Sequence, residues 1–208
     1  MKTKTIWIIF GLLLITGLRL NAQDFKFGFL VGYDISKNSF TDMPDNPLNP
    51  KYYPMISFNV NGYMGYKSTG LLGFSVEPGF IRKGYSQKFQ AGKVRYQLQY
   101  LQMPVLADIY ITEKLFLSVG PEIAYLLNTR VKTKNDAYLS NYLYKRQFEL
   151  SGIIGLNYKI TEKVDFGFRY NHGLTNTREI IYTDDQGLLI AKPKEFNQYF
   201  QLIVRYKI

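Results

Sequence analysis

Residues 148–176 read FELSGIIGLNYKITEKVDFGFRYNHGLTN, and this stretch decides the fold. It predicts two β-strands, residues 148–158 and 164–170, joined by a tight turn at residues 161–163. In both strands apolar side chains alternate with polar or small ones, which is the two-residue period of a β-strand. The apolar face ends in aromatic residues, and the other face carries full charges. A soluble sheet buries its apolar face in the core, whereas a membrane barrel turns that face toward lipid and encloses a polar lumen.

The same alternation recurs along the rest of the chain. It predicts six further strands, at residues 25–35, 55–66, 71–82, 96–111, 115–127 and 200–208. The start of strand 96–111 is ambiguous because Leu98 and Tyr100 fall on the same face as Asp108. Pro104 is therefore a candidate for a bulge that changes the alternation.

The connections between the predicted strands alternate in length. Those at residues 36–54, 83–95, 128–147 and 173–197 are medium to long, whereas those at 67–70, 112–114 and 161–163 are short turns. Four prolines argue against a helix or a central strand within residues 36–54. Outer-membrane barrels have short turns on the periplasmic side and long loops outside. The sequence therefore predicts an all-β fold, an eight-stranded antiparallel transmembrane up-and-down β-barrel with both termini in the periplasm.

Charges are confined to one face of the predicted strands. None falls on the apolar face, which in the third strand is counted from Leu72 to Phe80, and a lone Lys or Arg facing lipid at the bilayer midplane would cost about 2–4 kcal/mol. The opposite face carries Lys26, Asp34 and Lys207 together with a larger set that we predict to form a lumen charge network. That network is Glu77, Asp108, Glu122, Glu149, Asp165, Arg169 and Arg205. Aromatic residues near both ends of the strands predict two interfacial girdles.

The amino terminus predicts export. Lys2 and Lys4 precede an apolar run at residues 6–20, and Ala22 offers a small residue for cleavage. The run is short against the roughly 20 apolar residues of a transmembrane helix, so we predict a cleaved signal peptide at residues 1–22 and a barrel domain at residues 23–208. Export of a barrel places it in the bacterial outer membrane.

Composition excludes several kinds of chemistry. The chain has no cysteine, which excludes disulfides, thiolate metal sites and thiol catalysis. Its net charge is +10, but the basic residues are scattered and form no stripe, so we expect no nucleic-acid partner. No phosphate-binding, zinc or nucleotide motif occurs, and the pairs Asp42/Asp45 and Asp184/Asp185 lack the spacing of a calcium loop. We therefore expect no catalytic residue, cofactor or metal.

His172 is the one histidine of the chain. It falls on the lipid-facing side of its strand, near the outer rim. A catalytic histidine needs an acid or a nucleophile within reach, and Asp184 or Asp185 of the last long loop would have to supply it. An interfacial or loop histidine is the simpler interpretation, and a rim hydrolase is the alternative.

Several short motifs carry a family resemblance. They are Val-Glu-Pro-Gly-Phe at residues 76–80 with Lys-Gly at 83–84, Tyr-Leu-Gln-Met-Pro at 100–104, and Arg-Tyr at 169–170 followed by Gly-Leu-Thr-Asn at 173–176. With these motifs the chain resembles the PorT-like outer-membrane β-barrel proteins. The resemblance implies a barrel in outer-membrane lipid and lipopolysaccharide, inserted by the barrel-assembly machinery. Such barrels commonly end in an aromatic residue, whereas this chain ends in Ile208 with Tyr206 two residues before it.

The functional expectation follows from the barrel size. Eight strands leave an interior that side chains fill, which disfavours an open porin. We expect a structural or partner-binding barrel that meets an envelope protein through its long loops, 36–54 and 173–197, without catalysis. The alternatives are a narrow solute or ion channel, the rim hydrolase, and a soluble barrel with a cavity for a lipophilic ligand.

Overall fold

The computed structural model describes residues 25–42, 51–68, 70–89, 92–133, 137–139, 144, 147–183 and 186–208. The predicted signal peptide lies outside the described residues. Within them no helix is long and apolar enough to cross a membrane. The strands are β1 (Phe25–Thr41), β2 (Lys51–Lys67), β3 (Leu72–Val76), β4 (Gly79–Phe89), β5 (Gly92–Tyr110), β6 (Leu115–Lys132), β7 (Ala137–Leu139), β8 (Phe148–Lys159), β9 (Val164–Gly173), β10 (Arg178–Glu179), β11 (Tyr182–Thr183), β12 (Leu189–Ala191) and β13 (Lys194–Lys207).

The strands close into a ring. Strand β1 pairs with β2, the wall continues through β5, β6, β8 and β9, and β13 pairs with both β9 and β1. Strands β3 and β4 share one position in the wall, because both pair with β2 on one side and β5 on the other. The chain interrupts that position at Glu77 and Pro78. The wall therefore has eight positions, all paired antiparallel, which confirms the predicted barrel.

The barrel is apolar outside and polar inside. In β1 the side chains of Phe27, Phe29 and Tyr33 are exposed, whereas Asp34 is fully buried. The outward apolar set of this strand runs from residue 25 to residue 35, which is about 33 Å along the strand at roughly 3.3 Å per residue. A tilt of about 40° reduces this to about 25 Å, the height of the lipid-facing band of outer-membrane barrels.

Aromatic pairs mark both edges of this band. At the edge near the short turns, the ring centroids of Phe25 and Tyr66 lie 5.2 Å apart. At the opposite edge, the Tyr170 and Phe200 rings lie 4.9 Å apart. Interfacial aromatic rings of this kind anchor a barrel at the depth that its apolar band requires.

Two predicted loops are wrong in part, because strands extend into their described residues; residues 43–50, 90 and 91 lie outside the described residues. Residues 36–54 begin in β1 and end in β2, where Pro54 pairs with Tyr85 beside a register shift. Residues 83–89 belong to β4 and residues 92–95 to β5, and the two strands pair as far as Phe89 opposite Gly92. Beyond the lipid band both faces of a strand are free to be polar, so the alternation that signals a membrane strand disappears although pairing continues.

The predicted bulge is also misplaced. Leu98 and Tyr100 are buried in the interior, and Pro104 faces inward opposite Glu122 without a change of alternation. The register of β5 against β6 shifts instead beside Tyr100, where β6 carries one extra residue, Leu127. The interior face of β5 therefore includes apolar side chains, which is why its alternation was ambiguous.

The extracellular rim is uneven in height. Strand β8 begins at Phe148 and β9 ends at Gly173, close to the edge of the apolar band. Strand β4 continues nine residues past Phe80, which raises the β4–β5 hairpin by about 20 Å at the tilt used above. We call these the low side and the high side of the rim. A separate hairpin, β11–β12, follows β10, which pairs with β13.

Candidate functional site

The interior of the barrel holds a cluster of buried charges in its half nearer the short turns. The Arg169 guanidinium binds the Glu77 carboxylate through two hydrogen bonds of 2.5 and 2.8 Å. Arg205 donates to the same carboxylate at 2.7 Å and to Asp165 at 3.1 Å. Asp165 also accepts from Lys207 at 2.7 Å. We call these five residues the lower cluster, and each stands on the inward face of its strand or at the β3–β4 break.

A second group of charges lies nearer the outer rim. The Lys83 ammonium lies 2.9 Å from Glu122 and 3.2 Å from Glu149, and all three side chains are buried. The same ammonium lies 4.9 Å from the ring centroids of both Tyr100 and Tyr199. A lysine in such a position is neutralised by two carboxylates and is further stabilised by the faces of two rings. We call this group the middle cluster.

Neutral polar groups complete the middle cluster. Tyr199 donates to Glu122 at 2.6 Å, and Asn197 donates to Glu149 at 2.7 Å. Asn171 and Ser151 add further bonds to Glu122 at 3.2 and 3.3 Å. Buried carboxylates are tolerated when cations and hydrogen-bond donors surround them, as here. The arrangement fixes these side chains across the lumen.

A third group closes the outer mouth, beyond the lipid band. Glu195 accepts from the Arg178 Nε at 2.7 Å and from the Tyr144 hydroxyl at 3.2 Å, and Asn38 also donates to it. Arg178 donates to the Tyr85 hydroxyl at 2.8 Å. We call these residues the outer latch.

Burial controls the ionisation of the outer latch. It raises the pKa of Glu195, although the Arg178 charge acts in the opposite direction. It also raises the pKa values of the Tyr85 and Tyr144 hydroxyls, so both stay protonated. The latch therefore joins the chain after β9 to the start of β13 through one ion pair and several neutral donors.

The structure places all seven residues of the predicted lumen charge network in the interior. It brings Glu77, Asp165, Arg169 and Arg205 into the lower cluster, and Glu122 and Glu149 into the middle cluster. Asp108 joins neither cluster; its carboxylate accepts a hydrogen bond from Ser118, and no described base forms an ion pair with it.

Sequence reasoning missed three charged residues of the site. Lys83 was assigned to a loop, and so were Arg178 and Glu195. Lys83 and Glu77 are both odd-numbered, as are Glu195 and Arg205, so each pair falls on one face of an alternating strand. Extending the alternation past the predicted strand ends would have placed Lys83 and Glu195 in the interior. No such signal exists for Arg178, because it follows an irregular segment after β9.

His172 lies outside these clusters. Its side chain is partly exposed on the outer face, with Nδ1 3.1 Å from the Tyr170 hydroxyl and 3.0 Å from the Gln198 Nε2. Asp45, Asp184 and Asp185, the candidate calcium and rim residues, lie outside the described residues. Among the described residues, no group of three or more His, Asp or Glu side chains is placed to hold a metal ion.

Comparison with known protein families agrees with the inverted barrel. The outer membrane protein beta-barrel domain family matches residues 21–179, which is most of the chain. The chain belongs to this family. Membership confirms the predicted location in the bacterial outer membrane and, with the exposed apolar band, excludes the soluble lipophilic-ligand barrel. No curated protein matches the chain in sequence.

Solved structures in which the chain follows a similar path include three bacterial proteins. The attachment invasion locus protein Ail of Yersinia pestis is 13% identical, with a TM-score of 0.49, 88% of this chain covered and 98% of that one. Neisserial surface protein A is 16% identical, with a TM-score of 0.47 and coverages of 87% and 97%. OprG of Pseudomonas aeruginosa is 15% identical, with a TM-score of 0.41 and coverages of 88% and 94%.

Proposed function

We propose that this outer-membrane barrel is a closed scaffold that holds an extracellular hairpin against a protein partner of the envelope and performs no catalysis. The observation that carries the proposal is the β11–β12 hairpin and its flanks. Four aliphatic side chains there are each between 55% and 68% exposed, although they lie beyond the lipid band: Ile181, Leu188, Leu189 and Ile190. Clustered apolar side chains in water mark interaction sites more often than they mark neutral surface.

The hairpin is held firmly on the barrel. Arg178 and Glu179 pair with the start of β13, and the Ile180 amide donates to the Pro193 carbonyl at 2.9 Å. The outer latch adds the Arg178–Glu195 ion pair beneath it. A surface that is ordered before binding loses less conformational entropy when a partner docks, so its apolar area contributes more to affinity.

The packed interior supports a scaffold over a channel. In the lower cluster two arginines and two carboxylates bridge β3, β9 and β13 across the lumen, and Lys83 does the same between β4, β6 and β8 in the middle cluster. A conducting path needs groups that bind an ion weakly enough to release it. Here the charges bind one another at 2.5–3.2 Å, so the lumen charge network serves to hold the wall together.

Two further points belong to the proposal. Residues 1–22 act as a signal peptide that is removed after Ala22, and the barrel-assembly machinery inserts the remaining chain. The contacts of His172 with Tyr170 and Gln198 on the outer face support an interfacial rather than a catalytic histidine.

Site-specific photocrosslinking in intact cells tests the proposal. A crosslinking residue at Leu189 is expected to give one discrete protein adduct, and the adduct is expected to disappear in a variant carrying Ile181→Ser and Ile190→Ser. A crosslinker at Leu156, an exposed lipid-facing position of β8, is the matched control and is expected to give no protein adduct. A correctly inserted barrel that yields no adduct at Leu189, or the same adduct at both positions, would refute the partner-binding role.

A further inference from the structure

The periplasmic mouth of the barrel is lined by lysines. Lys26, Lys67, Lys159 and Lys207 stand at the ends of β1, β2, β8 and β13 near the short turns, each on the inward face of its strand. All four line one cavity of about 50 Å³. On this measure of volume about 10–15 Å³ holds one water, so the cavity admits a few waters or a group as small as a phosphate.

The charges around this cavity are not balanced. Lys207 pairs with Asp165 at 2.7 Å, while Lys159 and Lys26 share Glu162 at 2.7 and 4.0 Å. Lys67 pairs with no described carboxylate, and its ammonium lies 4.2 Å from the centroid of the Tyr110 ring. Glu113 also lines the cavity but forms no described ion pair with these lysines, so four ammonium groups face three carboxylates, those of Asp165, Glu162 and Glu113, and one positive charge is in excess.

The potential at the mouth is positive as a result. The hydrogen bond and charge of Lys159 lower the pKa of Glu162, and the charges of Lys26 and Lys207 act in the same direction. Like charges that face one small cavity repel one another unless an anion lies between them. An anion is thus the ligand that this geometry favours.

The wall of the cavity offers a neutral donor as well. Tyr63 is only 9% exposed, it lines the cavity, and none of the described residues accepts a hydrogen bond from its hydroxyl. Gly65 makes room for that hydroxyl, because a Cβ at this position would lie 1.9 Å from the Tyr63 oxygen. Behind it the Arg205 guanidinium lies 4.4 Å from the centre of the Tyr63 ring, so the cavity ends at the lower cluster.

We propose that the lysine mouth binds a single phosphate group presented from the periplasmic side. A phosphate group carries between one and two negative charges and presents two free oxygens as a diester or three as a monoester, in a tetrahedral arrangement that several ammonium groups and a hydroxyl can contact from different directions. The phosphate comes either from a soluble periplasmic anion or from the headgroup of an inner-leaflet phospholipid that folds over a short turn. The site is independent of the extracellular hairpin, which lies at the other end of the barrel.

Binding of inorganic phosphate to the purified barrel is the test. The barrel is refolded in a maltoside detergent, which contains no phosphate, and titrated calorimetrically with inorganic phosphate at low salt. We expect saturable binding that Lys67→Gln weakens at least tenfold, because Lys67 is the ammonium without a carboxylate. Tyr63→Phe is expected to weaken it about threefold. Lys163→Gln, in an exposed turn at the same end but outside the cavity, is the matched control and is expected to bind like the wild type.

The source of the phosphate is resolved by repeating the titration in nanodiscs. If phospholipid nanodiscs abolish binding of added phosphate and nanodiscs of phosphate-free glycolipid do not, a lipid headgroup occupies the site. If binding is unchanged in both, the ligand is soluble. Non-saturable binding, or equal weakening by Lys67→Gln and Lys163→Gln, would show only diffuse attraction to a basic surface and would overturn the proposal. Heat-modifiable migration of each variant confirms that it is folded.

Discussion

Replacing Glu77 with glutamine would remove the negative charge that two buried arginines share. The shape of the side chain is kept, so the change tests charge rather than packing. Three charge-assisted hydrogen bonds end on this carboxylate, two from Arg169 and one from Arg205. Arg169 forms no ion pair with any other described carboxylate, whereas Arg205 keeps Asp165.

The magnitude follows from this geometry. Breaking a buried ion pair by removing one partner costs about 3–5 kcal/mol, because the remaining charge stays buried and uncompensated. Glutamine retains one acceptor oxygen and Arg205 retains Asp165, so we expect a loss near the lower end, about 3 kcal/mol in the free energy of unfolding. At about 1.4 kcal/mol per factor of ten, the unfolding equilibrium constant rises by roughly two orders of magnitude.

Urea unfolding in detergent micelles measures the loss. Trp7 is the one tryptophan and belongs to the predicted signal peptide, so the folded fraction is best measured as the heat-modifiable band on a gel. Glu162→Gln is the control, because Glu162 is 77% exposed and its removal is expected to leave the midpoint unchanged. A double variant, Glu77→Gln with Arg169→Gln, is expected to recover part of the loss. The reasoning is refuted if the Glu77 variant unfolds at the control's midpoint, or if the double variant loses the full sum of the two single changes.

Three further outcomes are expected. We expect the wild-type barrel to show no steps of single-channel conductance in a planar bilayer. Lys83→Ala removes a large side chain from the middle cluster and is expected to produce such steps. Steady conductance of the wild type would favour the channel alternative. Arg178→Ala releases the β11–β12 hairpin and speeds its cleavage by chymotrypsin after Tyr182, Leu188 or Leu189 at least several-fold, while Glu162→Gln leaves the rate unchanged. Glu195→Gln removes the carboxylate charge that Arg178 pairs with, so protection of the Ile180 amide from hydrogen exchange at neutral pH is expected to fall; equal protection in the variant and the wild type would contradict the role of this ion pair.

The lipid band was the part of this fold that sequence could define. In β8 and β9 one face must be free of charge because it touches hydrocarbon, and that requirement produces a two-residue period in the sequence. The same rule placed Glu77, Arg169 and Arg205 inside. The rule no longer applies at Arg82, because the strand leaves the lipid there and polar residues become acceptable on both faces.

The partners of the interior charges could not be deduced from parity. The alternation shows that Glu122 and Arg169 face inward. It does not give the height of these side chains in the barrel or their angular position around it, because both depend on the stagger of every strand pair. Glu122 meets Lys83, 39 residues before it, and Glu77 meets Arg205, 128 residues after it. The register shift at Leu127 alters that stagger, and nothing in the local sequence marks it.

The uneven rim bears on recognition of intact cells by antibodies. The β4–β5 hairpin, near residues 88–93, stands about 20 Å above the level at which β8 and β9 end. Lipopolysaccharide sugars surround the low side at that level and would shield epitopes near Phe148 and Gly173. A serum raised against whole bacteria would therefore bind Lys88 and Lys93 more readily than residues of the low side, and sequence variation under immune pressure would concentrate on the high side.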